Sequence, residues 1–262
     1  MQHGSSRLEQ AIRKANERGE PALAAFLTAG FPARQGFADV VRQVAGHADI
    51  IELGVPFSDP MADGITIQDS SRQALADGVT LSWILNLVTE LGLSVPIVLM
   101  SYLNPLLSRG FEKLATDAAE AGVAGFIVPD LPVDEAGPLR AALAVREVAL
   151  IQLVTPLTPV DRQRRIAAAS QGFLYAVTRA GTTGGDSTES AFSIEAYLEG
   201  LRAVSPVPVL AGFGIRTAGQ VESLARHADG VIVGSALVER LAAGDDPAEF
   251  LQQLRNPGKA NQ

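Results

Sequence analysis

Residues 52–64 read Glu-Leu-Gly-Val-Pro-Phe-Ser-Asp-Pro-Met-Ala-Asp-Gly, which sets one carboxylate, Glu52, at the end of a buried strand and two more, Asp59 and Asp63, in the loop that follows. The preceding Ala48-Asp49-Ile50-Ile51 has the apolar content of an interior strand. A carboxylate placed where the chain leaves the core is partly desolvated, so its pKa rises and it becomes suited to proton transfer near neutral pH. Asp59 and Asp63 share their loop with Pro56, Pro60 and Gly64, and either also fits the role of a turn cap. Asp130, flanked by Pro129 and Pro132, reads as a residue that holds loop geometry.

The scarce residue types narrow the chemistry. There is no cysteine, which removes disulfides, thiolate nucleophiles and Cys-ligated metals together and suits a reducing cytoplasm. The only lysines, Lys14, Lys113 and Lys259, lie in helical or tail segments, so a Schiff base has no placed amine. His3 is in the N-terminal tail, while His47 and His227 end helical segments that lead into strands, the wrong side for a site. Acid and base must then come from Asp, Glu or Tyr, and an anion must be met by Arg, backbone N–H groups or helix ends. A net charge of −8 disfavours a nucleic-acid partner. No apolar run reaches the ~20 residues of a membrane span, and Met1 to Ser6 lacks the regions of a signal peptide. The expectation is a soluble cytoplasmic protein with one domain over residues 1–262, residues 1–6 and 257–262 being loose tails.

Glycines mark a second constellation. Gly212-Phe213-Gly214-Ile215 follows one apolar run, and Gly234-Ser235-Ala236 follows the next and opens a helix. Glycine lets backbone N–H groups approach an oxyanion, Ser235 adds a hydroxyl and a helix N-terminus adds partial positive charge, so the pair reads as a phosphate cradle; the competing reading is two tight turns. A third glycine-rich stretch, Arg179 to Asp186, has few apolar anchors and reads either as a lid over bound substrate or as an exposed linker.

These residues must be positioned by the elements between them. Eight short runs read as buried parallel strands: Ala22–Thr28, Ile50–Leu53, Ile97–Met100, Gly125–Val128, Ala149–Val154, Phe173–Thr178, Val209–Gly212 and Gly230–Val233. Amphipathic helix patterns separate them, with Thr80, Ser193, Thr217 and Asp246-Pro247 as start signals and Gly92 as a stop. Eight such units predict a (β/α)8 TIM barrel, the doubly wound open sheet being the alternative. In a barrel, Glu52, Tyr102, Asn104, Asp130, Tyr175, Arg179, Gly212 and Gly234 converge on one mouth, and an extra N-terminal helix over Arg7 to Arg18 would plug the floor.

The stretch from Glu52 to Gly64, extended by Thr66-Ile67-Gln68, resembles the signature of the tryptophan synthase alpha subunit family. Phe26-Leu27-Thr28-Ala29-Gly30-Phe31-Pro32, Ser101-Tyr102-Leu103-Asn104-Pro105, Val128-Pro129-Asp130-Leu131-Pro132, Gly212-Phe213-Gly214-Ile215 and Gly234-Ser235-Ala236 follow in family order across nearly the whole chain. The resemblance implies a lyase of tryptophan biosynthesis: retro-aldol cleavage of indole-3-glycerol phosphate to indole and glyceraldehyde 3-phosphate, without a cofactor or metal in this chain. It implies Glu52 as the acid/base at the ring carbon and Asp63 as the carboxylate at the indole nitrogen. Thr183 matches the closing-loop threonine that bonds the Asp63 equivalent. Gly184, Gly212, Gly214, Gly234 and Ser235 match the phosphate cradle, and Phe26, Tyr102 and Tyr175 border the indole and glycerol parts. The family's partner is a beta subunit carrying pyridoxal phosphate (PLP) in a heterotetramer, met by Asp59, Pro60, Asn104 and Pro132. Two positions depart from the family's pattern: Thr182 stands where valine is usual, and Ile65 where proline is common. A stand-alone indole-glycerol-phosphate lyase and a catalytically weak regulatory subunit remain alternatives. Other phosphate-binding barrels fit poorly for want of placed His and Lys.

Overall fold

Short runs of Val, Ile, Leu and Ala with no polar alternation have no solvent face, so each must be covered on both sides, and strand after strand is buried along its whole length. A computed structural model describes residues 4–178, 193–212 and 214–255. Helix α1 (Gly4–Glu17) leads into β1 (Ala22–Thr28), α2 (Phe37–Ala45), β2 (Ile50–Gly54), α3 (Ile65–Ala76), α4 (Leu81–Leu91), β3 (Ile97–Met100), α5 (Leu103–Arg109), α6 (Phe111–Ala121) and β4 (Val123–Ile127). The chain continues through α7 (Gly137–Val145), β5 (Ala149–Val154), α8 (Val160–Ala169), β6 (Leu174–Val177), α9 (Ile194–Val204), β7 (Val209–Gly212), α10 (Ala218–Ala225), β8 (Gly230–Val233), α11 (Ser235–Ala243) and α12 (Pro247–Arg255). The eight strands are parallel and close in chain order, β8 pairing back onto β1. This is the (β/α)8 barrel of the sequence reading.

Strand parity sorts the core into two parts. Ala24, Ile50, Val98, Ile151, Phe173, Leu210 and Ile232 fill the barrel interior together with Leu8, Ile12 and Ala15 of α1. Leu23, Ala25, Leu27, Ile51, Leu53 and Leu99 point outward under the helices. Helix α1 therefore closes the floor as its apolar face requires. It is pinned at both ends, Arg7 donating to the Gly122 carbonyl and Asn16 to the Asp229 carbonyl.

Residues 4–6 correct the expectation of a loose tail. Helix α1 starts at Gly4, where a Cβ would lie 2.1 Å from the Ala124 carbonyl oxygen, and the Ser5 hydroxyl accepts from the Gly172 N–H. Nothing local signals this start; it is fixed by contact with the barrel floor. The tail expected at residues 257–262 lies outside the described residues. Strand β4 begins at Val123 rather than Gly125, at a register shift against β3. The expected caps form: Thr80 accepts from Trp83 N, Ser193 from Ala196 N, and Thr217 with Gln220 makes a reciprocal capping box.

Ile65 occupies the first position of α3, and its side chain is 62% exposed. The preceding Gly64 has φ −72 and ψ 165, the extended conformation that a following proline demands. Proline at a first helical position gives up no intrahelical hydrogen bond and narrows the unfolded ensemble. Ile65→Pro is therefore expected to stabilise the chain by about 0.5 kcal/mol, a melting temperature about 1–2 °C higher by differential scanning calorimetry. A lower melting temperature would mean that the exposed isoleucine packs more than its accessibility shows.

Candidate active site

Glu52 is the third residue of β2, and with Ile50 facing the barrel interior it faces inward as well. Its neighbours across the sheet are Phe26 on β1 and Val98 on β3. It is 2% exposed, and its Oε2 has no hydrogen-bond partner among the described residues. Burial raises its pKa to about 8, with the negative charge of Asp63 acting in the same direction.

Asp63 reaches the same place from the loop between β2 and α3. The loop is folded by Asp63 N–H donating to the Pro60 carbonyl and by the Gln68 amide donating to the Asp63 carbonyl. Tyr102, just after β3, holds it from behind: the phenol accepts from Ala62 N–H at 2.8 Å and donates to Asp63 Oδ2 at 3.1 Å. The Tyr102 ring stacks on Phe57, with centroids 5.0 Å apart. Burial lifts the Asp63 pKa to about 6, and the Tyr102 hydrogen bond opposes that rise. Burial also pushes up both phenols, with the Asp63 charge adding to it at Tyr102 and the Glu52 and Asp63 charges at Tyr175. Asp63 thus ionises first, and its charge then keeps the proton on Glu52. Near neutral pH the site holds one carboxylate and one carboxylic acid.

One cavity of about 70 Å³ joins these groups. Phe26, Glu52, Met100, Tyr175 and Ile232 line it from the strands, Asp63, Gly64, Thr66 and Ile67 from the acid loop and α3, and Gly214, Gly234 and Ser235 from the glycine segments. Gly234 caps α11 with no side-chain hydrogen bond, and Ser235 is the first residue of that helix, so the N-terminus of α11 lies at the glycine corner. Gly214 has φ +76, a conformation that side chains rarely adopt. Gly212 does not line the cavity: a Cβ there would fall 2.6 Å from the Tyr175 hydroxyl, so its glycine leaves room for that ring.

Of the residues singled out from sequence, Phe26, Glu52, Asp63, Tyr175, Gly214, Gly234 and Ser235 share the cavity. Tyr102 stands behind Asp63 rather than along the wall. Thr183 and Gly184, with the rest of the Arg179 to Asp186 loop and Thr182, lie outside the described residues. Asp59, Asn104 and Pro132 are exposed and Pro60 half-buried; none lines the cavity. Asp130 holds a loop as expected, its two carboxylate oxygens accepting from Leu103 N–H at 2.9 and 3.2 Å, at the start of α5 where Tyr102 supplies no capping side chain. Thr66, Ile67, Met100 and Ile232 were missed. The inward parity of β3 and β8 would have found Met100 and Ile232. Among the described residues, no group of three or more His, Cys, Asp or Glu side chains converges, and no helix is long and apolar enough to cross a membrane.

Known proteins are similar to this chain in sequence and fold. The tryptophan synthase alpha chain of Nitratidesulfovibrio vulgaris (strain Hildenborough) is 48% identical over 253 residues, 95% of this chain and 97% of that one. The corresponding chain of Desulfovibrio desulfuricans is 46% identical over 95% of this chain and 99% of its own length. Among solved structures, tryptophan synthase of Mycobacterium tuberculosis superposes with a TM-score of 0.84 at 35% identity, covering 95% of this chain and 98% of that one. Tryptophan synthase subunit alpha of Legionella pneumophila gives 0.84 at 31% identity, covering 98% of each. A family model described as the tryptophan synthase alpha chain matches residues 12–260, a span that holds the barrel, both acids and the glycine corner, and the chain belongs to that family.

Proposed function

We propose that Glu52 and Asp63 carry the family's reaction, the cleavage of indole-3-glycerol phosphate to indole and glyceraldehyde 3-phosphate, as an acid and a carboxylate in one cavity. The observation that carries this reading is the split in their ionisation, about 8 for Glu52 against about 6 for Asp63. Glu52, protonated at neutral pH, gives its proton to the ring carbon that bears the glycerol chain. The ring nitrogen becomes an iminium, and its N–H donates to the Asp63 carboxylate, which offsets the developing positive charge. Glu52, now a carboxylate, takes the proton of the adjacent glycerol hydroxyl. The carbon–carbon bond breaks, its electron pair returns to the ring, and indole and an aldehyde leave with Glu52 protonated again. Proton transfer within one site balances every step.

The substrate's phosphate would sit at Gly214, Gly234 and Ser235, met by the N-terminus of α11, with Gly212 acting through Tyr175 and Gly184 joining from the sixth loop, whose Thr183 would bond Asp63. The partner would be the family's beta subunit, with PLP held in that chain and none in this one, in an α2β2 heterotetramer. Asp59, Pro60, Asn104 and Pro132 would meet it. Support comes from Met61 and Ile65, large apolar side chains 82% and 62% exposed beside the Asp59-Pro60 turn. A cytoplasmic location fits the cysteine-free chain.

Indole release from indole-3-glycerol phosphate, assayed with and without a beta subunit, tests the reading. Glu52→Gln and Asp63→Asn are each expected to lower the rate by at least ~100-fold with the fold intact; near-normal turnover in either refutes its role. The pH profile of kcat/KM should rise through about 6 as Asp63 ionises and fall through about 8 as Glu52 loses its proton. In the residual activity of Asp63→Asn the alkaline limb should move to lower pH, because the charge that raises the Glu52 pKa is gone.

The same burial affects stability. With its folded pKa above the unfolded value of 4.5, Glu52 lowers stability progressively as pH rises from there to about 8. Glu52→Gln should match the parent in stability at pH 4 and exceed it increasingly up to pH 8 in urea titrations. For the phosphate corner, Ser235→Asp favours the helix start yet opposes a bound dianion. KM is expected to rise roughly tenfold or more, about 1.4 kcal/mol, with no loss of melting temperature.

A further inference from the structure

Glu239 lies one turn along α11 from Ser235 and joins three parts of the cavity rim. Its Oε2 accepts from Arg216 Nη1 at 2.5 Å, and its Oε1 accepts from Arg216 Nη2 at 2.8 Å and from the Thr66 hydroxyl at 3.2 Å. Arg216 follows the Gly214-Ile215 turn, and its own N–H donates to Gln220 Oε1, so the residue is held at backbone and guanidinium together. Thr66 is the second residue of α3, three positions after Asp63, and lines the cavity. One carboxylate on the helix that Gly234-Ser235 opens therefore binds Arg216, just past the Gly214 turn, and Thr66, just past the acid loop.

We propose that Glu239 is a positioning residue that locks the Asp63 loop to the anion seat, so that seating the substrate's anionic end and aiming the Asp63 carboxylate become one event. The inference rests on the phosphate reading of the glycine corner. An exposed ion pair contributes little stability, and the Arg216 and Glu239 side chains are 53% and 38% accessible. What the bidentate fork supplies is direction, because a planar guanidinium holds a carboxylate in one orientation where a lysine would leave it free. With Glu239 so held, its Oε1 is aimed at Thr66. The guanidinium is turned onto Glu239, so Arg216 acts through that carboxylate and its loop rather than as a charge at the seat.

The two halves of the link separate in kinetics. Arg216→Ala, loosening the seat, should raise KM about threefold to fivefold, and Thr66→Val, releasing only the acid loop, should lower kcat by a similar factor with KM nearly unchanged. Glu239→Ala should do both, and adding either other variant to it should cost no more. The charge swap Arg216→Glu with Glu239→Arg should recover most of the lost KM effect while kcat stays low, since an arginine at 239 cannot accept from Thr66. Additive effects in the double variants, or native kinetics in Glu239→Ala, overturn the proposal. Ser235→Asp separates the two levels: if it leaves KM unchanged the phosphate reading itself fails, whereas a raised KM with additive double variants sinks the link alone.

Discussion

Two carboxyl groups in one cavity with largely apolar walls cannot both give up their protons at similar pH, and the site depends on this constraint. Phe26, Ile67, Met100, Tyr175 and Ile232 supply the low-polarity surroundings, and Glu52 Oε2 has no hydrogen bond among the described residues to offset the lost hydration. Asp63 is less deeply buried and has a donor. The Tyr102 hydroxyl donates to it, so its anion is the better tolerated of the two. Deeper burial and the lack of such a donor make Glu52 the acid, and the charge on Asp63 holds the proton on Glu52 more firmly.

The barrel makes that arrangement affordable. An unpaired acid at the floor would weaken the packing of α1 against the interior, where Leu8, Ile12 and Ala15 meet strand residues directly. At the carboxyl end of β2 the interior is already giving way to loops, and backbone and side-chain donors can reach in from β3 and the acid loop without breaking the ladder. Closure matters as well. With β8 paired to β1, Phe26 is brought beside both Glu52 and Gly234, so a wall of the cavity and the start of α11 are fixed by one strand register.

Much of this was legible in the sequence because it is local. Continuous apolar runs gave eight strands within a residue or two, Thr80, Ser193 and Thr217 gave helix starts, and Glu52 at a strand end gave the acid. What escaped depends on contacts between distant segments. Gly4 opens a helix because the Ala124 carbonyl leaves no space for a side chain, and Gly212 is needed by the Tyr175 ring. Tyr102 reads as a wall residue until its hydroxyl is seen turned toward Ala62 and Asp63. The burial that raises the Asp63 pKa to about 6 likewise comes from segments distant in sequence.

The same distinction separates the two ends of the site. At the acid end the chemistry is set by burial, with Glu52 Oε2 left without a hydrogen-bond partner among the described residues. At the glycine end it is set by what is presented, N–H groups of a helix start that carry no net charge and need no counter-ion when no anion is bound. A lysine or arginine aimed into that corner would change the balance, because its positive charge would favour ionisation of both acids and so work against keeping the proton on Glu52 at neutral pH. Binding an anion through backbone dipoles avoids this, and the turning of Arg216 onto Glu239 keeps the nearest guanidinium compensated.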